Sequence, residues 1–195
     1  MLDRIRPFGR RVAEWPARVL ARMGLTPNAI TIVGLLLNVG VAAVLASGQP
    51  VLGGVLVLVA NAFDMLDGAL ARVTGKASRF GAFLDSNIDR YAEALIFLGI
   101  GAWLFTLGDG SLLLAVYAAT VGSMMVSYAR ARAEGLGVGG EIGLLPRPER
   151  LILLSIGLIF HGYLLAPVLW ILAVFTNITA IQRILYVRSQ LASGK

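Results

Sequence analysis

The sequence predicts an all-α integral membrane protein with six transmembrane helices and an N-terminal helix on the cytoplasmic surface. The chain is 57% hydrophobic and only 14% charged, with a mean hydropathy of +0.80, a composition far from that of a soluble globular domain. Six apolar runs approach or reach the roughly 20 residues that cross a ~30 Å hydrocarbon layer. The basic residues flank these runs, so a membrane is the expected partner and nucleic acid is not.

The apolar runs define the six predicted helices. They cover residues 29–47, 52–71, 82–106, 111–133, 150–163 and 165–187. The fifth run is short, so we expect that helix to be tilted or to end below the surface. No linker or internal repeat divides the chain, and residues 1–195 are predicted to form one membrane domain.

The first 27 residues predict an amphipathic juxtamembrane segment. Arginines alternate there with Ile5, Phe8, Val12, Trp15 and Val19, which is close to helical spacing and typical of a helix held at an anionic lipid surface. Pro7 and Pro16 oppose a regular helix. A signal peptide is not expected, because the segment lacks an apolar core followed by a cleavage site. The absence of cysteine excludes disulfides and thiolate chemistry.

The distribution of charge predicts the orientation. All 17 basic residues fall in the N-terminal segment, the second-to-third and fourth-to-fifth connections with their flanks, and the tail. The short turns of the opposite face carry a single charged residue, Asp109. By the positive-inside rule both termini, and the face that carries the polar motifs, are predicted to be cytoplasmic in the plasma membrane.

Four aspartates interrupt this apolar chain. Asp64 and Asp67 are three residues apart in the second predicted helix, and Asp85 and Asp89 are four apart in the third. Each spacing places a pair on one helical face, ~7–12 Å inside the cytoplasmic boundary at 1.5 Å per residue. Because both helices meet the same face of the membrane, the four carboxylates are expected to lie together.

These carboxylates require compensation at that depth. Ion pairs with Arg72, Arg79 and Arg90 are one possibility, but these arginines sit at or beyond the helix ends. All-oxygen ligands suit hard cations such as Mg²⁺ or Mn²⁺. Four carboxylates are enough for two ions, an arrangement suited to phosphoryl chemistry.

The motif from Asp64 to Asp89 has eight specified residues at fixed spacing: Asp64-x₂-Asp67-Gly68-x₂-Ala71-Arg72-x₈-Gly81-x₃-Asp85-x₃-Asp89. It resembles the signature of the CDP-alcohol phosphatidyltransferases, and the resemblance extends from "LTPNAIT" to "TAIQR". It implies a six-helix membrane enzyme of phospholipid synthesis, often a homodimer. Such enzymes join CDP-diacylglycerol or CDP-archaeol to an alcohol and release CMP.

The resemblance also implies residue roles. Asp64, Asp67 and Asp85 would be metal ligands, and Asp89 would be both a ligand and the catalytic general base. The residues expected at the cytidine diphosphate of the lipid are Asn28, Asp67, Gly68, Ala71, Arg72, Gly75, Ser78 and Arg79. For Asn28 an alternative stays open, because Thr26 and Pro27 also form an ordinary helix N-cap and first position.

Two arginine-containing segments bear on the acceptor. The segments "SYARARAEGLG" and "PRPERLI" resemble those of the inositol-phosphate branch of the family, the phosphatidylinositol phosphate and archaetidylinositol phosphate synthases. By that resemblance Arg130, Arg132 and Arg150 hold the acceptor phosphate, with Arg147 and Arg183 as additions. Several members of that branch carry Lys where this chain has Arg130. Alternatively, these arginines only mark a cytoplasmic loop.

Other functions remain as alternatives. A phosphatidylglycerophosphate synthase that uses glycerol 3-phosphate would also need a phosphate pocket. A divalent-cation transporter would need polar groups toward the outer face, yet almost none follow Glu93. Glu93 itself is interpreted as a protonated interhelical hydrogen-bond group, or else as a partner of the aspartates, and the lone His161 as a surface residue.

Overall fold

The computed structural model describes residues 6–139, 142–143 and 145–192, with side chains from residue 13 onward. This part of the chain is helical apart from short connections. Its helices are α1 (Arg6–Arg22), α2 (Pro27–Ala46), α3 (Pro50–Thr74), α4 (Arg79–Thr106), α5 (Gly110–Glu134), α6 (Arg147–Ile159) and α7 (His161–Ala192). All six apolar runs are therefore helical, and α1 lies in the predicted N-terminal segment, whose residues 1–5 are outside the described residues.

The break between the last two helices differs from the sequence prediction. Hydropathy placed it near residue 164, whereas α6 ends at Ile159 and Phe160 has φ −103° and ψ 38°. The apolar pattern continues through this point, so hydropathy could not locate the break. The 13 residues of α6 span about 20 Å, and the 32 residues of α7 span about 48 Å.

Four helices, α2, α3, α5 and α7, are long and apolar enough to cross a membrane. Helix α6 is too short, and α4 carries Asp85, Asp89, Arg90 and Glu93. Large apolar side chains lie on the molecular surface, for example Leu98 with 67% of its area exposed. An apolar surface of this kind is expected where lipid replaces water.

Close helix packing forms the core. Because lipid chains are as apolar as the core itself, association of membrane helices depends on intimate contact between small residues. A Cβ at Gly99 of α4 would lie 2.5 Å from the Ala42 carbonyl oxygen of α2, and one at Gly122 of α5 would overlap Thr176 Oγ1 of α7. Because neither glycine has a side chain, α4 lies directly against α2 at Gly99, and α5 lies directly against α7 at Gly122.

Capping residues set the geometry where α2, α3 and α4 meet. Thr26 caps α2 by accepting a hydrogen bond from Ala29 N at 3.3 Å, with Pro27 in the first turn. Gly75 ends α3 in the left-handed region at φ 64°, which glycine adopts without strain. Ser78 then caps α4. The tight connection brings the aspartates of α3 beside those of α4.

Candidate active site

A pocket of about 260 Å³ opens between the first turns of α2 and α4 and the last turns of α3. It is lined by Pro27, Asn28, Thr31, Asp67, Gly68, Ala71, Arg72, Lys76, Ala77, Ser78, Gly81, Ala82 and Asp85. Most residues predicted to contact the cytidine diphosphate are on this wall. Gly75 and Arg79 are not: Gly75 is the C-cap of α3, and Arg79 begins α4.

Asp67 is the buried carboxylate of the pocket, with 8% of its area exposed. Its Oδ2 accepts a hydrogen bond from Thr31 Oγ1 at 2.7 Å, and the same hydroxyl lies 3.1 Å from the Pro27 carbonyl oxygen. Thr31 therefore orients Asp67 from the neighbouring helix. Sequence reasoning missed Thr31, although it closes the "LTPNAIT" segment, because nothing in the sequence pairs α2 with α3.

Two glycines allow the helices to approach at the site. A Cβ at Gly81 would lie 3.0 Å from Ser78 Oγ and 3.2 Å from Asn28 Oδ1, and a Cβ at Gly34 would lie 3.0 Å from Asp64 Oδ1. A larger residue at either position would crowd a polar side chain of the site. Asn28 is thus both in the first turn of α2 and on the pocket wall, and its contact with the cytidine diphosphate stays a prediction.

The pocket is suited to an anionic ligand. Arg72 and Lys76 line it and are exposed, and both α2 and α4 begin at its edge. Helix N-termini carry partial positive charge and favour phosphate groups. Lys76 is not among the predicted site residues, since its place in the wall depends on the turn after α3.

The other aspartates meet an unexpected partner. Arg147, the first residue of α6, donates from Nη2 to Asp64 Oδ2 at 3.0 Å, and its Nη1 lies 2.7 Å from Asp89 Oδ1. Asp89 Oδ2 is also 3.6 Å from Arg90 Nη1. Among the described ion pairs, Arg72 and Arg79 contact none of the four aspartates. The arginine that compensates the charges of Asp64 and Asp89 is thus Arg147, which the sequence resemblance assigned to the acceptor phosphate.

The donor set fits a hard divalent cation. The carboxylate of Asp85 lies close enough to those of Asp64, Asp67 and Asp89 for mutual repulsion, and all are oxygen donors from two adjacent helices. As the side chains stand, however, no three acidic, histidine or cysteine residues of the described part converge tightly enough to hold a metal ion. The metal-ligand roles of these aspartates therefore remain predictions.

Arg150 and Glu93 form a buried ion pair between α6 and α4. Arg150 Nε and Nη2 each donate to the Glu93 carboxylate at 2.9 Å, and Nη1 donates to the Leu145 carbonyl at 3.0 Å. Both residues are at most 4% exposed. Neither interpretation of Glu93 from the sequence included Arg150, which holds the carboxylate in a bidentate, charge-assisted pair. The partner is remote in sequence, so the pattern could not reveal it.

The remaining predicted acceptor arginines differ in their contacts. Arg183 donates to the Ile142 and Val126 carbonyls at 2.6 and 2.7 Å, joining α7 to α5 and to the loop before α6. Arg130 is exposed and pairs with Glu134 at 2.8 Å. Arg132 is also exposed. Arg183 lies within electrostatic range of Arg130 and Arg150, so three of the predicted cations are neighbours.

Comparison with known proteins assigns this architecture to a family. The family model described as CDP-alcohol phosphatidyltransferase matches residues 24–181. The chain is 38% identical over 195 residues to the archaetidylinositol phosphate synthase of Pyrococcus horikoshii, covering 100% of both chains. It is 41% identical over 180 residues to the phosphatidylinositol phosphate synthase of Mycobacteroides abscessus, covering 89% of this chain and 82% of the relative.

Solved structures of a phosphatidylinositol phosphate synthase also superpose on this chain. The phosphatidylinositol phosphate synthase of Mycobacterium tuberculosis with CDP-DAG bound is 38% identical and superposes with a TM-score of 0.86, covering 91% of this chain and 94% of that one. The same enzyme in complex with manganese and citrate superposes with a TM-score of 0.85, over 90% of this chain and 88% of that one.

Proposed function

Because this chain belongs to the CDP-alcohol phosphatidyltransferase family, we propose that it transfers a phosphatidyl or archaetidyl group from a CDP-linked lipid to inositol phosphate. The products are CMP and a phosphorylated inositol lipid. The chain is thus an enzyme of phospholipid synthesis, embedded in a membrane and dependent on Mg²⁺ or Mn²⁺. Its relatives are named as synthases of these lipids, and one was solved with manganese.

One observation carries the proposal. The family motif folds into a pocket whose wall combines Asn28 of α2, Asp67 and Arg72 of α3, and Ser78 of α4. Charge-assisted hydrogen bonds from Arg72 and Lys76 suit a diphosphate. Asn28, Gly68 and Ala71 leave room for the rest of the nucleotide. Gly75 and Arg79, which are not on this wall, contribute the turn and the start of α4.

The reaction also needs neutralisation of the diphosphate charge. Asp64, Asp67, Asp85 and Asp89 are the proposed ligands of two divalent ions, which would stabilise negative charge on the phosphates when bound. Thr31 holds Asp67 in place through its 2.7 Å hydrogen bond. Hydrogen bonds from neighbouring residues to a metal-binding side chain fix its orientation and tune the affinity for the metal.

Asp89 is the proposed general base. It lies deeper in α4 than Asp85 and is 19% exposed, beside Arg147. A base must come within roughly 3 Å of the hydroxyl proton that it removes, and a position between the nucleotide pocket and the arginines of α6 suits that role. Asp89→Asn should keep CDP-lipid binding and lose turnover.

Four arginines, Arg130, Arg132, Arg147 and Arg183, are the proposed contacts of the acceptor phosphate, whereas Arg150 is already paired with Glu93. Arg130 and Arg132 are exposed at the end of α5, and Arg183 lies near both Arg130 and Arg150. Arg147 begins α6 beside the aspartates. An anion among these cations would relieve their mutual repulsion. Free inositol lacks that charge and should be a poor substrate.

We further propose six membrane spans, with both termini and the pocket on the cytoplasmic side of the plasma membrane, and a homodimeric assembly. The chain has no cysteine, so single-cysteine variants report cleanly. Ser47→Cys should react with an impermeant reagent outside intact cells, and Ser189→Cys should react only after lysis. Ser47 and Ser189 are both exposed, and neither has a positive φ angle that a cysteine would strain. The reverse labelling pattern would invert the topology.

The decisive experiment measures CMP release from one CDP-lipid with a panel of alcohols at equal concentration. We expect inositol phosphate to be preferred to inositol, glycerol 3-phosphate and serine. Preference for glycerol 3-phosphate would retain the phosphate site and reject inositol. Preference for an unphosphorylated alcohol would reject the acceptor site as a whole. Comparing CDP-diacylglycerol with CDP-archaeol identifies the lipid.

A further inference from the structure

Arg147 forms the most unusual contact in the site, because one guanidinium joins carboxylates of two different helices. Its Nη2 lies 3.0 Å from Asp64 Oδ2, and its Nη1 lies 2.7 Å from Asp89 Oδ1. The arginine is 20% exposed and each aspartate 19%. At that degree of burial the charges are only partly screened by solvent.

This bridge and a divalent cation would compete for the same oxygens. A carboxylate oxygen that accepts a hydrogen bond at 2.7–3.0 Å directs a lone pair at the guanidinium. A metal ion that binds Asp64 and Asp89 through these atoms would also lie next to a positive charge. Repulsion between the two cations then opposes their simultaneous presence.

The hydrogen bonding of Arg147 is incomplete, in contrast to that of Arg150. Arg147 Nε is buried and has no partner within the described part of the chain. Arg150, three residues later, uses Nε, Nη1 and Nη2 in hydrogen bonds. Most buried polar groups in proteins are paired. Arg147 is therefore the less firmly held of the two guanidinium groups and the easier one to displace.

We propose that Arg147 is a built-in counter-ion for Asp64 and Asp89, which a divalent metal ion displaces when it binds to the aspartates. The inference rests on the proposed metal site. Displacement frees the guanidinium for the phosphate of the acceptor, so metal loading precedes acceptor binding. Arg147 thus couples the proposed metal site to the proposed acceptor site.

The test compares Arg147→Ala with a matched control, Arg188→Ala, which removes an equal charge from an exposed position on α7. Mn²⁺ affinity of the purified full-length protein is measured by titration with detection of free Mn²⁺ by electron paramagnetic resonance. A charge-assisted hydrogen bond contributes about 1.5 kcal/mol or more, so Arg147→Ala should bind Mn²⁺ about tenfold more tightly. The control should stay within about twofold of wild type because of screening.

Thermal unfolding provides an independent readout. In excess chelator, Arg147→Ala should unfold at a lower temperature than the control, since Asp64 and Asp89 lose their counter-ion. In saturating Mn²⁺ that difference should close, because a displaced guanidinium no longer stabilises the carboxylates and ligand binding contributes by mass action. A purely structural arginine would lower the unfolding temperature equally in both conditions.

The outcomes separate this inference from the proposed function. If wild type shows no Mn²⁺ binding that Asp67→Asn removes, the metal site fails. If that binding exists but Arg147→Ala has equal or weaker Mn²⁺ affinity, or an unfolding deficit that persists in Mn²⁺, the counter-ion role fails alone. Should Arg147→Ala not fold, Arg147→Gln keeps hydrogen-bonding groups without the charge and carries the same expectation of tighter binding.

Discussion

Arg72 and Lys76 line open space at the pocket, whereas Arg150 is enclosed against Glu93 between α4 and α6. In the first region the cations and helix N-termini have no described carboxylate partner. In the second region a carboxylate from the protein satisfies the cation. The cations of this chain thus have different surroundings, from which we expect substitutions in the first region to affect ligand binding and substitutions in the second to affect folding.

Arg147 lies between these two regions. Like Arg150 it is paired with carboxylates, but its partners are Asp64 and Asp89, and its Nε has no hydrogen-bond partner among the described residues. The three arrangements form a graded series: open cations proposed to bind ligand, a bridge proposed to be displaced, and a fixed buried pair. Substitutions that separate activity from stability test this series.

The largest effect is expected at the pocket. Asp67→Asn should abolish CMP release, because a neutral amide cannot balance a dication as carboxylate does. Asp109→Asn is the matched control, since Asp109 caps α5 far from the motif and Asn is an equally good N-cap. Activity is measured with and without chelator. Turnover by wild type in excess chelator would contradict a metal-dependent pocket.

A large loss of stability is expected at the buried pair. Arg150→Ala leaves Glu93 buried without its partner, and breaking such a pair costs about 3–5 kcal/mol. Replacing both residues by apolar ones of similar size, as in Arg150→Met with Glu93→Leu, should recover much of that loss. Chemical unfolding in detergent measures the difference. If Arg150→Ala is as stable as wild type, the pair does not hold α6 against α4.

An intermediate effect is expected at Thr31. Thr31→Val keeps the shape of the side chain but removes the hydrogen bond to Asp67. Loss of a contact that orients a metal ligand lowers metal affinity by roughly 10–100-fold. Thr31→Ser keeps the hydroxyl and should restore most of the affinity. Equal Mn²⁺ affinity in the Val and Ser variants would mean that Asp67 needs no help from α2.

The smallest change in stability is expected at Arg132. This side chain is exposed, and surface substitutions usually change stability by at most about 0.5 kcal/mol. If Arg132 contacts the acceptor phosphate, Arg132→Ala should still raise the acceptor KM about tenfold. The KM for CDP-lipid is the internal control. An unchanged acceptor KM would leave Arg132 with only a topological role.

Much of the pocket and of the aspartate cluster could be predicted, because the residues that form them lie close together in the sequence. Asp64 and Asp67, or Asp85 and Asp89, share a helical face through spacing alone, and the short turn from Gly75 to Ser78 brings the two helices together. The N-cap residues Thr26 and Ser78 likewise lie next to the helices that they start, α2 and α4. The membrane class, the helices and the family all followed from such patterns within the chain.

The partners of the buried charges depended on tertiary structure. Arg147 and Arg150 stand three residues apart in one motif, yet one bridges Asp64 and Asp89 and the other grips Glu93. Which carboxylate each guanidinium meets depends on the rotation and depth of α6 against α3 and α4. Those quantities come from packing among all the helices, because a buried charge takes whichever partner the assembled interior brings within hydrogen-bonding distance.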